Sequence, residues 1–402
     1  MVFSLDIVNA QEYLQAALNS GIIDFTTIQS QIEMAEKKKY LEGHKIYSDK
    51  NGKFYTRLDG KMVKRTTKEA IEEEIIQHEK SLEESPTVKE VFYQFIDQKL
   101  RYKDISDSTY DRYVRDYERY FSGKDIENIR FSFLTEEYLE NFIRESIADN
   151  ELTAKGYSNL KTIIRGMLLY AKGKYTNISA GSFFADLQFS KNTFVKKIIC
   201  KEKEVYLEDE IPAVTEYLNE RGKINHLGIL LAFQTGVRVG ELAVIRKEDI
   251  ISEDETTFIH IRRTETKYKK KGKYVVEVKE YPKSSAGDRY VFCTDKAKET
   301  IEKILSINPN GKFLFEENGK RLHESTFANT ITWMCKVLNI PQKSMHKIRK
   351  TYGTTLIDGG VDESIVVEQM GHSDIHCTKQ YYYFSNKNRE KKREQISKAI
   401  CF

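Results

Sequence analysis

Glycine punctuation near the C-terminal end constrains this chain more than any other feature. Gly359-Gly360 and Gly371 cut the stretch 345–383 into two short helices and fix what stands at their ends, because glycine suits the left-handed turn that stops a helix. In the first segment His346 and Arg349 stand three apart, so on a helix both point from one face. Ile365, Val366 and Met370 make the second segment a short apolar helix, and His372 directly follows its stop at Gly371. Nine positions further on begins the run Tyr381-Tyr382-Tyr383. Two histidines, an arginine and a tyrosine gathered on helix ends have the groups needed to hold a phosphodiester and attack it.

Two upstream segments extend the pattern. Thr235-Gly236-Val237-Arg238-Val239-Gly240-Glu241-Leu242 follows the apolar run 227–233, and Tyr281-Pro282-Lys283-Ser284-Ser285-Ala286-Gly287-Asp288-Arg289-Tyr290-Val291 lies between it and the histidine box. In this order the segments resemble the tyrosine recombinases, or phage-type integrases. That family has a Thr-Gly-x-Arg-x-x-Glu-Leu box, a hairpin lysine, a His-x-x-Arg box, a Gly-His box and a tyrosine nucleophile. The resemblance spans 238–381 and implies a catalytic set of Arg238, Lys283, His346, Arg349, His372 and Tyr381. Departures are small: Ser284 follows the lysine where threonine is commoner, and Lys350-Thr351-Tyr352 replaces the commoner His-Thr-Phe.

The chemistry accounts for these residue types. A phosphodiester must have its anionic oxygens neutralised and its leaving alkoxide protonated. Arginine suits the first task, since its planar fork binds two oxygens and stays charged. The resemblance gives Arg238 and Arg349 this role, with His372 adding a hydrogen bond as charge builds. It makes Lys283 the general acid for the 5′ oxygen and His346 a base or an orienting hydrogen bond. Tyr381 becomes the nucleophile; a free phenol has a pKa of about 10, so it loses its proton during attack. Tyr382 and Tyr383 are rival nucleophiles, and the spacing from Gly371-His372 favours Tyr381. Glu241 positions its neighbours. No cofactor is required, and no metal is expected: His372, His376 and Cys377 stand close together in sequence but on a loop without a fourth ligand.

With 402 residues the chain is long enough for two or three domains. Its 65 basic and 61 acidic residues leave a net charge of only +4, so cationic clusters matter more than the total. The expected fold is multidomain and mainly α with small β-sheets. Residues 1–43 read as a helical segment with apolar stripes at Tyr13, Leu14, Ala17 and Leu18 and at Ile28, Ile32 and Met34. At 44–84, three short strands joined by Asn51-Gly52 and Asp59-Gly60 precede a helix capped by Thr67. This resembles the family's arm-type DNA-binding domain, with Lys53, Tyr55, Arg57, Lys64 and Arg65 as candidate DNA contacts. Ser85-Pro86-Thr87 reads as a linker.

Four helices then fill 85–180, resembling the core-binding domain, whose candidate phosphate contacts include Lys161 and Arg165; Tyr110, Tyr113, Tyr117 and Tyr120 read as bundle core. A second linker is expected at 181–204, a mixed, mainly α catalytic domain at 205–384 and a tail at 385–402 that docks on a neighbour or stays solvated. Within the catalytic part the run 266–273 reads as a basic hairpin loop, with Lys269, Lys270 and Lys271 as backbone contacts.

Five cysteines, none in a Cys-x-x-Cys pair, and the lack of a long apolar run or signal-peptide core point to a soluble, cytoplasmic protein with no membrane partner. The resemblance further implies a bacterial or phage-encoded protein associated with the nucleoid. The resemblance implies an enzyme that integrates and excises a mobile element. It would act on double-stranded DNA with separate arm and core sites, as a homotetramer, with an accessory directionality factor. The alternative is a DNA-binding regulator that kept the fold and lost catalysis; the presence of all six reacting side chains argues against it.

Overall fold

The computed structural model describes residues 15–17, 19–21, 25–58, 60–190, 192–197, 200–270, 272–282, 285–372, 387 and 389–399. The chain divides into two compact units, Met1–Lys196 and Lys197–Phe402. Both are mainly helical, with small antiparallel sheets. Among the described residues no helix is long and apolar enough to cross a membrane.

The first unit opens with α1 (Phe25–Leu41). Its C-terminal end is held by the ion pairs Lys37–Glu72 at 2.7 Å and Lys39–Glu83 at 2.8 Å. Ile32 and Met34 are exposed, so the stripe expected there is no packing face; Tyr13, Leu14 and Leu18 lie outside the described residues. Strands β1 (Tyr47–Ser48), β2 (Phe54–Leu58) and β3 (Lys61–Arg65) form one antiparallel sheet in that order. The Asp49 carboxylate accepts the amides of Asn51 (2.9 Å) and Lys53 (3.0 Å), which closes the first turn with Gly52 at φ +73°. Helix α2 (Lys68–Glu83) is capped by Thr67 and buries Ile71 and Ile75 against Leu58.

The segment expected as a linker at Ser85-Pro86-Thr87 is pinned instead. Thr87 bridges Arg130, the Phe131 amide donates to the Pro86 carbonyl at 2.9 Å, and Val88 donates to Ile129 at 2.9 Å. The Ser132 hydroxyl donates to Leu82 at 2.8 Å and lies 2.6 Å from the Ser85 hydroxyl. Buried backbone must find partners, and here a neighbouring strand-like segment supplies them.

Helices α3 (Val88–Arg101), α4 (Asp107–Tyr120), α5 (Glu136–Asp149) and α6 (Ala154–Ala171) are each capped by a serine or threonine: Thr87, Ser106, Thr135 and Thr153. Tyr113, Tyr117 and Tyr120 are buried, with Tyr117 stacked between Phe92 (4.1 Å) and Phe121 (4.9 Å). Helix α7 (Ala180–Asp186) adds Phe183 and Phe184 to the same core. Phe189 and Phe194 pack on Tyr157, and Val195 donates to Leu152 at 3.0 Å. The first half of the linker expected at 181–204 is therefore folded onto the bundle, because its phenylalanines have apolar surface to bury.

In the second unit α8 (Glu210–Arg221) leads to α9 (Ile224–Thr235), a helix apolar on nearly every side. Such a helix belongs inside; it packs against α8 and against α11 (Asp295–Ile307), α12 (Glu324–Val337) and α13 (Met345–Asp358). A four-residue helix, α10 (Val239–Leu242), follows α9. Strands β4 (Ile250–Glu253), β5 (Thr256–Ile261) and β8 (Arg289–Cys293) form a sheet in that order.

Between β5 and β8, β6 (Thr264–Lys270) and β7 (Lys273–Lys279) pair as a two-stranded ribbon. The basic run expected as a loop is thus mostly strand: a backbone ladder forms whatever the polarity of the side chains, provided they face water. Helix α14 (Glu363–Met370) packs on α13 and β8, and α15 (Arg389–Ala399) lies near the end of the chain.

Helix α6 runs so close to α3 that a Cβ on Gly166 would come within 2.2 Å of the buried Phe95 ring. Alanine in place of a helical glycine gains about 1 kcal/mol in propensity, whereas overpacking costs about 1–3 kcal/mol. Gly166→Ala is therefore expected to lower stability in urea unfolding, and adding Phe95→Leu, which shortens the obstructing group, to recover part of the loss. A Gly166→Ala protein more stable than wild type would show that the ring moves aside freely.

Candidate active site

The site is assembled on the ends of α9, α13 and α14. Helix α9 stops at Gly236, whose φ is +66° and whose missing Cβ leaves room for the Tyr352 ring of α13; a Cβ would sit 2.2 Å from it. Tyr352, one of the departures noted in the sequence, is thereby partly buried, and this desolvation pushes its phenol up to about 12. The chain then turns, and Arg238 caps α10.

Arg238 donates from Nη1 to Glu241 at 2.7 Å and from Nη2 to the Gly371 carbonyl at 3.1 Å, while its backbone amide donates to Glu241 at 2.9 Å. Its side chain is 42% exposed, so this cation still faces solvent. Arg349 is buried at 2% exposure. Its Nη1 donates to the Gly236 carbonyl at 2.7 Å and its Nη2 to the Met370 carbonyl. Arg238 and Arg349, far apart in sequence, are thus brought against the same helix end.

A third arginine joins them. Arg289, at the start of β8, donates from Nε to the Gln369 carbonyl at 2.9 Å and from Nη1 to the Gly287 carbonyl at 3.1 Å. It also grips Glu241 through Nη2 at 2.9 Å and Nη1 at 3.3 Å. The carbonyls of Gln369, Met370 and Gly371 therefore each accept from a different arginine. A helix C-terminus carries unsatisfied carbonyls and partial negative charge, which suits this arrangement. Burial alone would raise the Glu241 carboxyl, but Arg289, Arg238 and Arg349 around it hold it down to about 2.

His372 follows directly, its amide donating to Val367 at 3.2 Å. Burial, then the charges of Arg349, Arg238 and Arg289, and finally His346, push its imidazole down to about 4. Burial also lowers His346, with Lys350, Arg349, Lys347 and Arg238 acting in the same direction. Both rings are neutral near pH 7, so each offers one donor and one acceptor nitrogen.

Of the six expected catalytic residues, the structure brings together Arg238, His346, Arg349 and His372; Lys283 and Tyr381, with Tyr382, Tyr383, His376 and Cys377, lie outside the described residues. The candidate DNA contacts fall on three other surfaces. On the outer face of the β1–β3 sheet, Tyr47 stacks on Tyr55 at 5.4 Å, Lys64 lies over the Tyr55 ring at 5.6 Å, and Lys53 and Arg57 are exposed. Arg65 is paired with Glu74 at 2.6 Å. On α6, Arg165 is exposed and Lys161 lies over Phe184 at 4.9 Å. On the ribbon Lys269 and Lys270 are exposed, Lys267 and Lys269 flank the exposed Tyr274 ring at 4.7 and 5.3 Å, and Lys271 is outside the described residues. Arg289 was not among the residues singled out from sequence, although its place six residues after the hairpin lysine was visible.

A family model described as the phage integrase family matches residues 204–389. A tyrosine recombinase of Thermosipho africanus is 24% identical over 307 residues, spanning 75% of this chain and 96% of the relative. The transposase from transposon Tn916 of Enterococcus faecalis is 23% identical over 235 residues, 51% of this chain and 54% of that protein. Among solved structures, the Tn1549 transposon integrase in complex with transposon right end DNA matches with a TM-score of 0.58 at 15% identity, covering 78% of this chain and 99% of that one. A lambda integrase tetramer bound to a Holliday junction matches with a TM-score of 0.54 at 15% identity, covering 84% and 94%. These structures share the fold.

The depressed histidines carry a pH dependence of stability. An unfolded chain protonates His372 near its ordinary 6.5, whereas the folded chain resists until about 4. The unfolded state thus binds more protons in that interval, and stability falls as pH drops through it. The thermal midpoint of the protein is expected to decline between about pH 7 and about pH 5, above the range in which Glu241 contributes. His372→Gln should flatten the decline, and an equally steep one in the variant would rule out this histidine as its source.

Proposed function

The chain belongs to the phage integrase family, the tyrosine recombinases, and we propose that it recombines DNA through a 3′-phosphotyrosyl intermediate on Tyr381. It is a site-specific recombinase. The observation that best supports the proposed chemistry is the convergence of Arg238, Arg349, His346 and His372 around the C-terminal end of α14. This combines a solvent-facing cation, a buried cation and two neutral imidazoles in one place.

In the proposed reaction a non-bridging oxygen of the scissile phosphate meets Arg238, and the buried charge of Arg349 adds to the field. A low-dielectric surrounding strengthens both. His372 donates a hydrogen bond to the phosphate as charge accumulates. The Tyr381 oxygen attacks phosphorus, its proton passing to the neutral His346. The bond to the 5′ oxygen breaks, and that oxygen takes a proton from Lys283. Attack by a 5′ hydroxyl of another strand reverses these transfers and releases Tyr381, so no nucleotide is hydrolysed. The roles of Lys283 and Tyr381 rest on their places in the family's motif order.

Exchange between two duplexes needs four such sites, and the lambda integrase tetramer on a Holliday junction supports a homotetramer on DNA for this chain. The transposon relatives support integration and excision of a mobile element, and the proposed site of action is the cytoplasm. The aromatic and basic face of the β1–β3 sheet supports an arm-site contact through Lys53, Tyr55, Arg57 and Lys64, since a small sheet fits a major groove. Lys161, Arg165, Lys269, Lys270 and Lys271 are proposed phosphate contacts. An accessory directionality factor would choose between the two directions.

The DNA flanking the gene is to be searched for a pair of short matching repeats, which would supply the substrate. A nicked duplex built from them is expected to trap a protease-sensitive covalent adduct. Tyr381→Phe should bind the same duplex within about threefold of wild type, since backbone contacts set affinity, yet form no adduct. Adduct persisting in Tyr381→Phe would move the nucleophile to Tyr382 or Tyr383, which peptide mapping separates. No adduct from the wild-type protein on any repeat would favour a DNA-binding regulator.

A further inference from the structure

Arg289 touches none of the groups proposed to react, yet it is 6% exposed and spends its guanidinium on Glu241, Gln369 and Gly287. We propose that Arg289 is a positioning residue that occupies Glu241 and so keeps that carboxylate from capturing Arg238. The inference rests on the strand-transfer reading above.

The geometry of the shared carboxylate carries it. A carboxylate and a guanidinium left to themselves form a two-pronged pair through two parallel hydrogen bonds. Here Glu241 does not bind Arg238 in that way. Oε2 receives Arg289 Nη2 at 2.9 Å and the Arg238 backbone amide at 2.9 Å. Only Oε1 receives the Arg238 side chain, through Nη1 at 2.7 Å, and it is shared with Arg289 Nη1 at 3.3 Å. With Oε2 taken, Arg238 is left to turn its second prong toward the Gly371 carbonyl and to keep 42% of its side chain exposed. A phosphate oxygen approaching Arg238 thus competes with half of a carboxylate that a second cation already neutralises.

Arg289 also ties the surrounding segments together. Its Nε holds the Gln369 carbonyl, and the Gln369 side chain in turn accepts the Phe292 amide of the same strand at 3.0 Å. A Cβ on Gly371 would lie 2.7 Å from the Ala286 carbonyl and 2.8 Å from Arg289 Cδ, so the end of α14 sits directly on the segment entering β8. Removing Arg289 would leave Glu241 buried with one fewer cation, and the nearest movable replacement is the guanidinium of Arg238.

Single-turnover adduct formation on the nicked duplex tests this, with wild type as the positive control. Arg289→Met is expected to slow the rate at least a hundredfold while leaving duplex affinity within about threefold, since phosphate contacts elsewhere dominate binding. Adding Glu241→Gln removes the charge that would capture Arg238, and the double variant should recover at least tenfold over Arg289→Met. A purely structural role predicts no such rescue. Should Arg289→Met fail to fold, Arg289→Lys and Arg289→Gln carry the test: the lysine keeps the neutralising charge and should stay within tenfold of wild type, while the glutamine loses the rate. The inference is overturned if Arg289→Met cleaves like wild type, if the double variant is no faster than the single, or if the lysine and glutamine variants fall equally. Absence of adduct in wild type would instead count against the strand-transfer reading.

Discussion

The second unit depends on the way three cations share the end of one short helix. The last carbonyls of α14 point at Arg289, Arg349 and Arg238 in succession, and these arginines come from three separated parts of the chain. Like charges so close would repel, and Glu241 is the buried anion that makes the cluster tenable. Breaking up a buried charge network by removing one member is costly. The same network raises the local positive potential where the proposed reaction would seat a phosphate, so in that reading a single arrangement serves both folding and chemistry.

The packing beneath this cluster is close. Gly236 and Gly371 each adopt a left-handed backbone and each abut a side chain, Tyr352 in one case and Arg289 in the other. Neither position has room for a Cβ, so the helix stops and the docking of the cations are fixed together. Lys347 and Lys350, on the helix that carries His346 and Arg349, both reach Glu204 at the entry to the unit. This anchors α13 from its other side, and burial, reinforced by the surplus of cations around His346 and His372, keeps both imidazoles neutral.

Much of this was legible in the sequence because glycines and boxes signal locally. The stop at Gly371, the capped helices of the bundle and the inward tyrosines of α4 all follow from side chains a few positions apart. What escaped depends on partners distant in sequence. The segment Ser85-Pro86-Thr87 has turn-like composition, and only its pairing with 129–132 makes it ordered. Residues 181–195 look like a connector until Phe189 and Phe194 find Tyr157. The lysines of β6 read as loop because strand formation there is a property of the ladder with β7. Arg289 was hidden for a similar reason: an arginine in a hairpin gives no sign of its partner until Glu241, 48 positions away, is placed beside it.

The pinned joint at residues 82–88 has a mechanical consequence. Helix α2 packs beneath the β1–β3 sheet, and its C-terminal end is bonded to the segment that opens the helical bundle. There is little slack between the two to absorb a displacement. A load applied to the sheet would be transmitted along α2 as through a tiller, and would turn the bundle instead of merely stretching a tether.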